Sequence, residues 1–158
     1  MPEDIYNADE TRLFWLAIPS ATLGTQQPKG KKKKKDRITI LVTANGDGSH
    51  KLPHWIVGKA MNPRCFGRHN ERLNGLQVVY RANKTTWVTT TIFLEFLSWF
   101  ANEIRHKKPG RRVLFFLDSF SAYESAARQF QAEAGSLLSN LRLEFLPKNA
   151  TSLYQSMD

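Results

Sequence analysis

The chain alternates between two spacings of apolar residues, one typical of strands and one typical of helices. Short runs rich in β-branched and apolar residues lie between turn-forming residues, which is the pattern of β-strands. Such runs occupy residues 5–8, 38–42, 52–57, 76–80, 112–117 and 141–146. A further short run at 13–16 could continue the sheet after a turn. In the run at 112–117, the residues after Arg112 are continuously apolar, which predicts a central strand buried on both faces.

A hairpin is predicted between the second and third strands. The segment Asn45-Gly46-Asp47-Gly48 separates them and has strong turn-forming composition. Pro53 lies early in the third run. Because proline cannot donate a ladder hydrogen bond, the early part of that strand is expected at an edge or a bulge.

Two helices follow from the other spacing. The segment 89–104 carries an apolar stripe, with Thr90 or Thr91 as the predicted N-cap. The stripe consists of Ile92, Phe93, Phe96, Trp99 and Phe100. Ser121 and Glu124 have capping-box spacing before a second helix that ends near Gly135. An antiparallel start followed by alternating helix and strand predicts an α/β fold with a mixed sheet flanked by helices.

Composition limits the class of protein. A chain of 158 residues with 41% hydrophobic residues is large enough for one globular domain. Its apolar runs are all shorter than the ~20 residues that span a bilayer, so no membrane partner is expected. The single cysteine, Cys65, excludes an internal disulfide and favours a reducing compartment.

The positive charge is concentrated in one loop. The net charge of +9 indicates a polyanionic partner. Seven cations and one anion between Lys29 and Arg37 carry most of it, within a basic loop at about 19–37 that also holds prolines and glycines. The lysine run could be a nuclear-import signal or a phosphate-contacting loop, or a solvated charge block without a partner.

Three aspartates, Asp9, Asp118 and Asp158, each stand where an apolar run gives way to polar residues. Carboxylates from neighbouring strands can converge to bind divalent cations, and a pair of such ions can assist phosphodiester cleavage. Taken singly, each aspartate could equally be a turn former or a helix cap.

The surrounding segments make the interpretation more specific. They are Asn7-Ala8-Asp9-Glu10-Thr11, the block 30–59, Asn62-Pro63-Arg64-Cys65-Phe66, Tyr80-Arg81-Ala82-Asn83-Lys84, Trp87, Leu117-Asp118 and the stretch 145–158. In this order they resemble the catalytic core of a DDE-superfamily endonuclease or transposase of the pogo/Tigger type, the group that includes centromere protein B. The resemblance extends over nearly the whole chain.

The resemblance implies a fold and a chemistry. The fold would be ribonuclease-H-like, with residues 1–158 as a single catalytic-core domain. The family's N-terminal helix-turn-helix module and the helix after the third aspartate would lie outside these residues. Asp9, Asp118 and Asp158 would be the catalytic residues and the ligands of Mg²⁺ or Mn²⁺, with Glu10 as a weaker candidate nearby. The partner would be DNA, the location nuclear, and the assembly a monomer or a homodimer.

Basic residues would contact the DNA backbone. The predicted contacts are Lys31, Lys32, Lys33, Lys34, Lys35, Arg37 and Lys84. Trp15, Trp55 and Trp87 could stack on bases, or serve the core as most aromatic residues do.

Departures from the family pattern leave an alternative open. Family members generally have Asn and His where this chain has Ser119 and Tyr123, and Gly where it has Arg12. Tyrosine cannot replace imidazole as a near-neutral acid-base group. The alternative is therefore a catalytically inactive, domesticated or relic module that binds DNA without cutting it.

Overall fold

The residues that the structure describes fold into one six-stranded mixed sheet with two helices packed on it. A computed structural model describes residues 1–15, 36–67, 75–133, 135 and 140–147. The strands are β1 (Ile5–Leu13), β2 (Ile38–Asn45), β3 (His54–Gly58), β4 (Val78–Ala82), β5 (Val113–Leu117) and β6 (Leu141–Phe145). The helices are α1 (Thr90–Lys107) and α2 (Ser121–Glu133), with short 3-10 turns at Pro2–Asp4 and Arg64–Phe66.

The sheet order is β4-β3-β2-β1-β5-β6. Strand β1 pairs antiparallel with β2 and parallel with β5, while β3 pairs antiparallel with β2 and parallel with β4. Strand β6 is parallel to β5. As a result, the ends of β1, β3, β4, β5 and β6 and the beginning of β2 all meet at one edge of the sheet, here called the carboxyl edge. The predicted mixed α/β sheet is confirmed.

Strand β1 is longer than its apolar run predicts. The run ends at Ala8, but regular pairing with β2 continues from Asp9 to Leu13. Asp9 therefore lies inside a strand and not at its end, which corrects the sequence-based placement. Four of the five β2 partners of this extension are apolar, and the ladder of hydrogen bonds that β2 provides outweighs the polar composition of β1.

The hairpin is confirmed, with a longer connection than predicted. Lys51 pairs with Ala44 in an isolated bridge, and regular pairing resumes only at His54. Pro53 thus falls in the interruption of the ladder, but β3 itself lies inside the sheet because β4 covers its outer side.

The core lies between the sheet and α1. Phe96 and Phe100 are fully buried, and each packs its ring against Phe115 of β5. Phe100 also meets Tyr6 of β1 edge-on, and Phe96 meets Trp55 of β3 in the same way. The apolar stripe predicted for this helix is therefore its buried face.

Two details of the helices differ from prediction. Thr89, not Thr90 or Thr91, is the N-cap of α1, and its hydroxyl accepts from the Ile92 amide at 3.4 Å. The predicted capping box is also wrong, since α2 begins at Ser121 and the carbonyl of Phe120 accepts from the Glu124 amide. Within the described ranges, no helix is long and apolar enough to cross a membrane.

Strand β5 is buried on one face only. Val113, Phe115 and Leu117 are buried under the helices, whereas Leu114 and Phe116 on the other face are half-buried. The prediction of burial on both faces is wrong for the described part of the chain, where both helices pack against the same side of the sheet.

Candidate active site

Asp9 lies on β1, and Asp118 directly follows β5, the parallel neighbour of β1. Strand β1 pairs with β5 through Asn7 and Phe116, and the same register carried two residues further sets Asp9 opposite Asp118. Alternate residues of a strand share a face, so both aspartates follow the face that α1 does not cover. Both are half-buried. The structure thus brings together two of the three predicted acidic residues, at the point where β5 ends beside the middle of β1.

The electrostatic influence of both aspartates extends to Tyr123. This tyrosine is buried on α2, where its ring stacks on Phe93 with centroids 3.9 Å apart. Burial raises the pKa of the Tyr123 hydroxyl well above 10, and the charges of Glu10, Asp9 and Asp118 raise it further. The Tyr123 hydroxyl therefore stays protonated and acts as a hydrogen-bond donor.

Glu10 accepts that hydrogen bond. Its side chain projects toward the helices, on the opposite face of β1 from Asp9, and its Oε1 receives the Tyr123 hydroxyl. Burial raises the pKa of Glu10, while the hydrogen bond from Tyr123 and the charges of Arg12 and Arg37 lower it. Tyr123 of α2 thus fixes the Glu10 side chain on the helix side of β1, the strand that also carries Asp9.

Asn7 is a site residue that the sequence argument quoted but did not assign. Its amide donates to the Phe116 carbonyl at 3.3 Å, which ties β1 to β5 just before the aspartates. Its Oδ1 is buried and has no hydrogen-bond partner among the described residues. A buried acceptor without a partner is costly. The Asn7 oxygen lies on the same face of the sheet as Asp9 and Asp118. A hard divalent cation bound there, or one of its waters, would satisfy this oxygen.

Ser119 fixes the segment after β5. Its hydroxyl donates to the carbonyl of Leu146, just beyond β6, and its amide donates to Asp118 Oδ1 at 2.7 Å. The loop that carries Asp118 is therefore attached to the end of the neighbouring strand.

A basic cluster stands beside these carboxylates. The guanidinium groups of Arg12 and Arg37 lie over the ring of Trp87, at 4.1 and 4.3 Å from its centroid. Arg37 also donates to the Thr86 hydroxyl at 3.2 Å. From the sequence, Arg12 is notable only as a departure from the glycine of the family pattern. Here it contributes a cation–π contact and a positive charge near Glu10.

The remaining predicted residues divide into two groups. Lys84 lies in the described part, exposed, in the turn after β4. The lysines 31–35, most of the basic loop at 19–37, and Asp158 lie outside the described residues. In the described ranges no group of three His, Cys, Asp or Glu side chains could by itself hold a metal ion. The proposed triad therefore depends on Asp158 and stays a prediction.

Comparison with known proteins identifies the family to which the chain belongs. Residues 35–158 match the family model described as DDE superfamily endonuclease. The chain is 37% identical over 97% of its length to CENP-B homolog protein 2 of Schizosaccharomyces pombe, covering 29% of that protein. It is 34% identical over 99% of its length to the human Jerky protein homolog, covering 27% of it. It is also 32% identical over 99% of its length to mouse Tigger transposable element-derived protein 4, covering 28% of it.

The fold has solved counterparts. The Mos1 transposase paired-end complex with left transposon end aligns at a TM-score of 0.52 and 14% identity, over 96% of this chain and 37% of the other. The Mos1 mariner paired-end complex with Mn aligns at a TM-score of 0.51 and 15% identity, over 96% and 38%. This likeness agrees with a ribonuclease-H-like sheet. The chain spans less than a third of the curated relatives named above, the longest share being 29%. It belongs to the DDE superfamily endonuclease family, as a DDE-type transposase domain of the pogo/Tigger kind.

Proposed function

We propose that this domain binds DNA and cleaves or transfers a phosphodiester bond with the help of divalent cations. The observation that carries the proposal is the placement of Asp9 on β1 beside Asp118, the residue that follows the parallel neighbouring strand β5. Family membership supports the reaction class. The Mos1 relatives, whose complexes contain a transposon end and Mn, support the same partner and the same kind of ion.

The acidic residues fit a hard divalent cation. Asp9 and Asp118, with Asp158 as the third ligand, would hold Mg²⁺ or Mn²⁺, and the unpartnered Asn7 oxygen lies on the same face of β1. When bound, a pair of such ions supplies Lewis acidity and neutralises phosphate charge. The contribution of the protein is to hold the carboxylates in place and to attract the DNA.

The positioning is done by contacts away from the reacting atoms. Asn7 ties β1 to β5, and Ser119 ties the Asp118 loop to the end of β6. Tyr123 fixes Glu10 from the helix side. These contacts would set the spacing of Asp9 and Asp118 before any substrate arrives, and preorganisation of this kind lowers the barrier of enzymatic reactions.

Cations near the site would contact the DNA backbone. Arg12 and Arg37 lie beside the carboxyl edge, and Lys84 is exposed in the turn after β4. The lysines 31–35 add a block of charge that would strengthen binding at low salt and serve as a nuclear-import signal. We further propose a homodimer, by analogy with the paired-end complex of the Mos1 transposase.

Plasmid nicking tests the proposal. Supercoiled plasmid is incubated with the chain and Mg²⁺ or Mn²⁺, and open-circle product is measured on a gel. Loss of an outer-shell residue of a metal site typically costs ~10–100-fold, so loss of a direct ligand in Asp9→Asn or Asp118→Asn should exceed about 100-fold. Glu133→Gln, the same chemical change at an exposed position on the last residue of α2, is the matched control.

The outcomes separate the two candidate functions. Metal-dependent nicking that is lost in both aspartate variants and kept in Glu133→Gln supports the enzyme. Undiminished nicking in both aspartate variants refutes it. The alternative of an inactive DNA-binding module predicts that the wild-type chain binds the plasmid but does not nick it. Nothing in the described geometry favours that alternative.

A further inference from the structure

A cavity of about 830 Å³ opens at the carboxyl edge, on the half of the sheet away from β5. Its floor is formed by Ile38 of β2, Ile56 and Gly58 of β3, and Tyr80 of β4. These positions alternate with Thr39, the buried neighbour that faces the helix side, so the cavity lies on the sheet face that α1 leaves uncovered. Its volume is within the range of roughly 300–1,000 Å³ found for ligand pockets.

One wall of the cavity is a fixed aromatic surface. The Tyr80 ring crosses directly over Gly58, where an added Cβ would lie 2.1 Å from the tyrosine oxygen. The Tyr80 hydroxyl donates to the Ala60 carbonyl at 2.7 Å, and Phe66 meets the ring edge-on with centroids 4.7 Å apart. Glycine is required at position 58 because any larger residue would displace the ring. A ring held in this way can stack on a flat ligand at little cost in entropy.

The rim of the cavity is cationic. Arg37, Lys59 and Lys84 line it, against Asp36 as the single acidic residue of the lining. Lys59 and Lys84 are both exposed, and neither forms an ion pair within the described ranges. An apolar aromatic floor beside a cationic rim suits a ligand with a flat apolar part and an anionic part, which is the chemistry of a nucleotide.

Arg37 connects this cavity to the carboxylates. It lines the cavity and lies 4.3 Å from the centroid of the Trp87 ring, over which Arg12 of β1, three residues after Asp9, also lies. A strand whose phosphate is held at the aspartates would therefore pass this rim. In a duplex the bases are stacked and paired, so only an unpaired base could enter the cavity.

We propose that this cavity holds one unpaired nucleotide of a DNA strand, with its base against Tyr80 and Phe66 and its phosphate on Lys59 and Lys84. The inference rests on the proposed function, because it takes DNA as the ligand. It adds a single-strand subsite beside the carboxylates. The domain would thus prefer DNA that is frayed or single-stranded next to the bond that is cut.

Fluorescence anisotropy tests the subsite directly. The probes are a labelled single-stranded octathymidylate, an abasic strand of equal length, and a duplex of equal length, all in EDTA so that metal-dependent cleavage plays no part. The wild-type chain should bind the thymidylate about 10-fold or more tighter than the abasic strand, since stacking of one base is worth about that much. It should bind the fully paired duplex less tightly than the thymidylate.

Two variants and a control assign binding to the cavity. Ala60→Trp fills the cavity from an exposed position and should remove the preference for thymidylate over the abasic strand. The double change Lys59→Ala and Lys84→Ala should weaken both strands about equally, by about 10-fold or more, through lost phosphate contacts. Lys51→Ala removes an exposed lysine at the opposite edge of the sheet and should have a much smaller effect.

Each outcome decides the matter. Equal affinity for the thymidylate and the abasic strand, or an Ala60→Trp variant that keeps its preference for the base, overturns the subsite. A thermal melt shows whether Ala60→Trp folds. If it does not, the subsite is overturned when the double variant Lys59→Ala and Lys84→Ala binds both strands as tightly as Lys51→Ala does. Absence of plasmid nicking would contradict the proposed cleavage but would not change the anisotropy result. Failure of the cleavage proposal and failure of the subsite proposal are therefore distinguishable.

Discussion

The hydroxyl of Tyr123 on α2 donates a hydrogen bond to the carboxylate of Glu10 on β1. This contact joins the second helix to the strand that carries Asp9, across 113 positions of the chain. In the family pattern a histidine generally occupies the position of Tyr123. Here the side chain is a buried donor whose pKa is raised well above its ordinary value of 10. Its role is to hold the strand and not to exchange protons.

Replacing Tyr123 with phenylalanine tests that role. The variant keeps the ring stacked on Phe93 but leaves the half-buried carboxylate of Glu10 without its donor. Loss of one partner from a buried hydrogen bond costs about 1–3 kcal/mol, so the free energy of unfolding in urea should fall by that amount. Glu10→Gln completes a double-mutant cycle, and a coupling energy near zero would mean that the contact contributes nothing.

The same pair makes stability depend on pH. Burial raises the pKa of Glu10 above its ordinary 4.5, so the folded chain binds this proton more readily than the unfolded chain. The stability contribution of protonated Glu10 is complete below 4.5 and is lost as pH rises through the folded pKa. Relative to wild type, Glu10→Gln should therefore gain stability as pH rises. Urea unfolding at a series of pH values measures this difference, and a constant or falling difference would contradict it.

The cap of α1 gives a third prediction, with a control two residues away. Thr89→Ala removes the hydroxyl that accepts from the Ile92 amide and should cost about 0.5–2 kcal/mol of unfolding free energy. Thr91→Ala, at an exposed position in the first turn, should change it by no more than ~0.5 kcal/mol. If Thr91→Ala instead lowers the free energy of unfolding in urea more than Thr89→Ala does, the N-cap is Thr91, as the sequence-based prediction allowed.

The fold was predictable where periodicity is strong. The stripe that includes Phe96 and Phe100 located α1, and the turn at 45–48 located the hairpin between β2 and β3. The continuation of β1 past Ala8 was not predictable, because Glu10 and Arg12 read as polar turn residues. Only pairing with β2, more than 25 residues away in sequence, keeps them in a strand. Tertiary context overrides local propensity there.

The site was predictable in part. Motif resemblance selected Asp9 and Asp118, and the strand order explains why residues so far apart in sequence share an edge. The unpartnered oxygen of Asn7 could not have been found, since a buried unsatisfied atom depends on packing that no local pattern encodes. The contact of the Tyr80 ring with Gly58 could not be predicted for the same reason. It joins two strands whose pairing had to be known first.

The central claim is that Asp9 and Asp118 together bind a divalent cation. Isothermal titration of the chain with Mn²⁺ measures this most directly, with Asp9→Asn, Asp118→Asn and the exposed control Glu133→Gln titrated beside it. We predict that wild type and Glu133→Gln bind Mn²⁺ alike and that each aspartate variant loses about 10-fold or more in affinity. Equal Mn²⁺ binding by wild type and both aspartate variants would contradict the account.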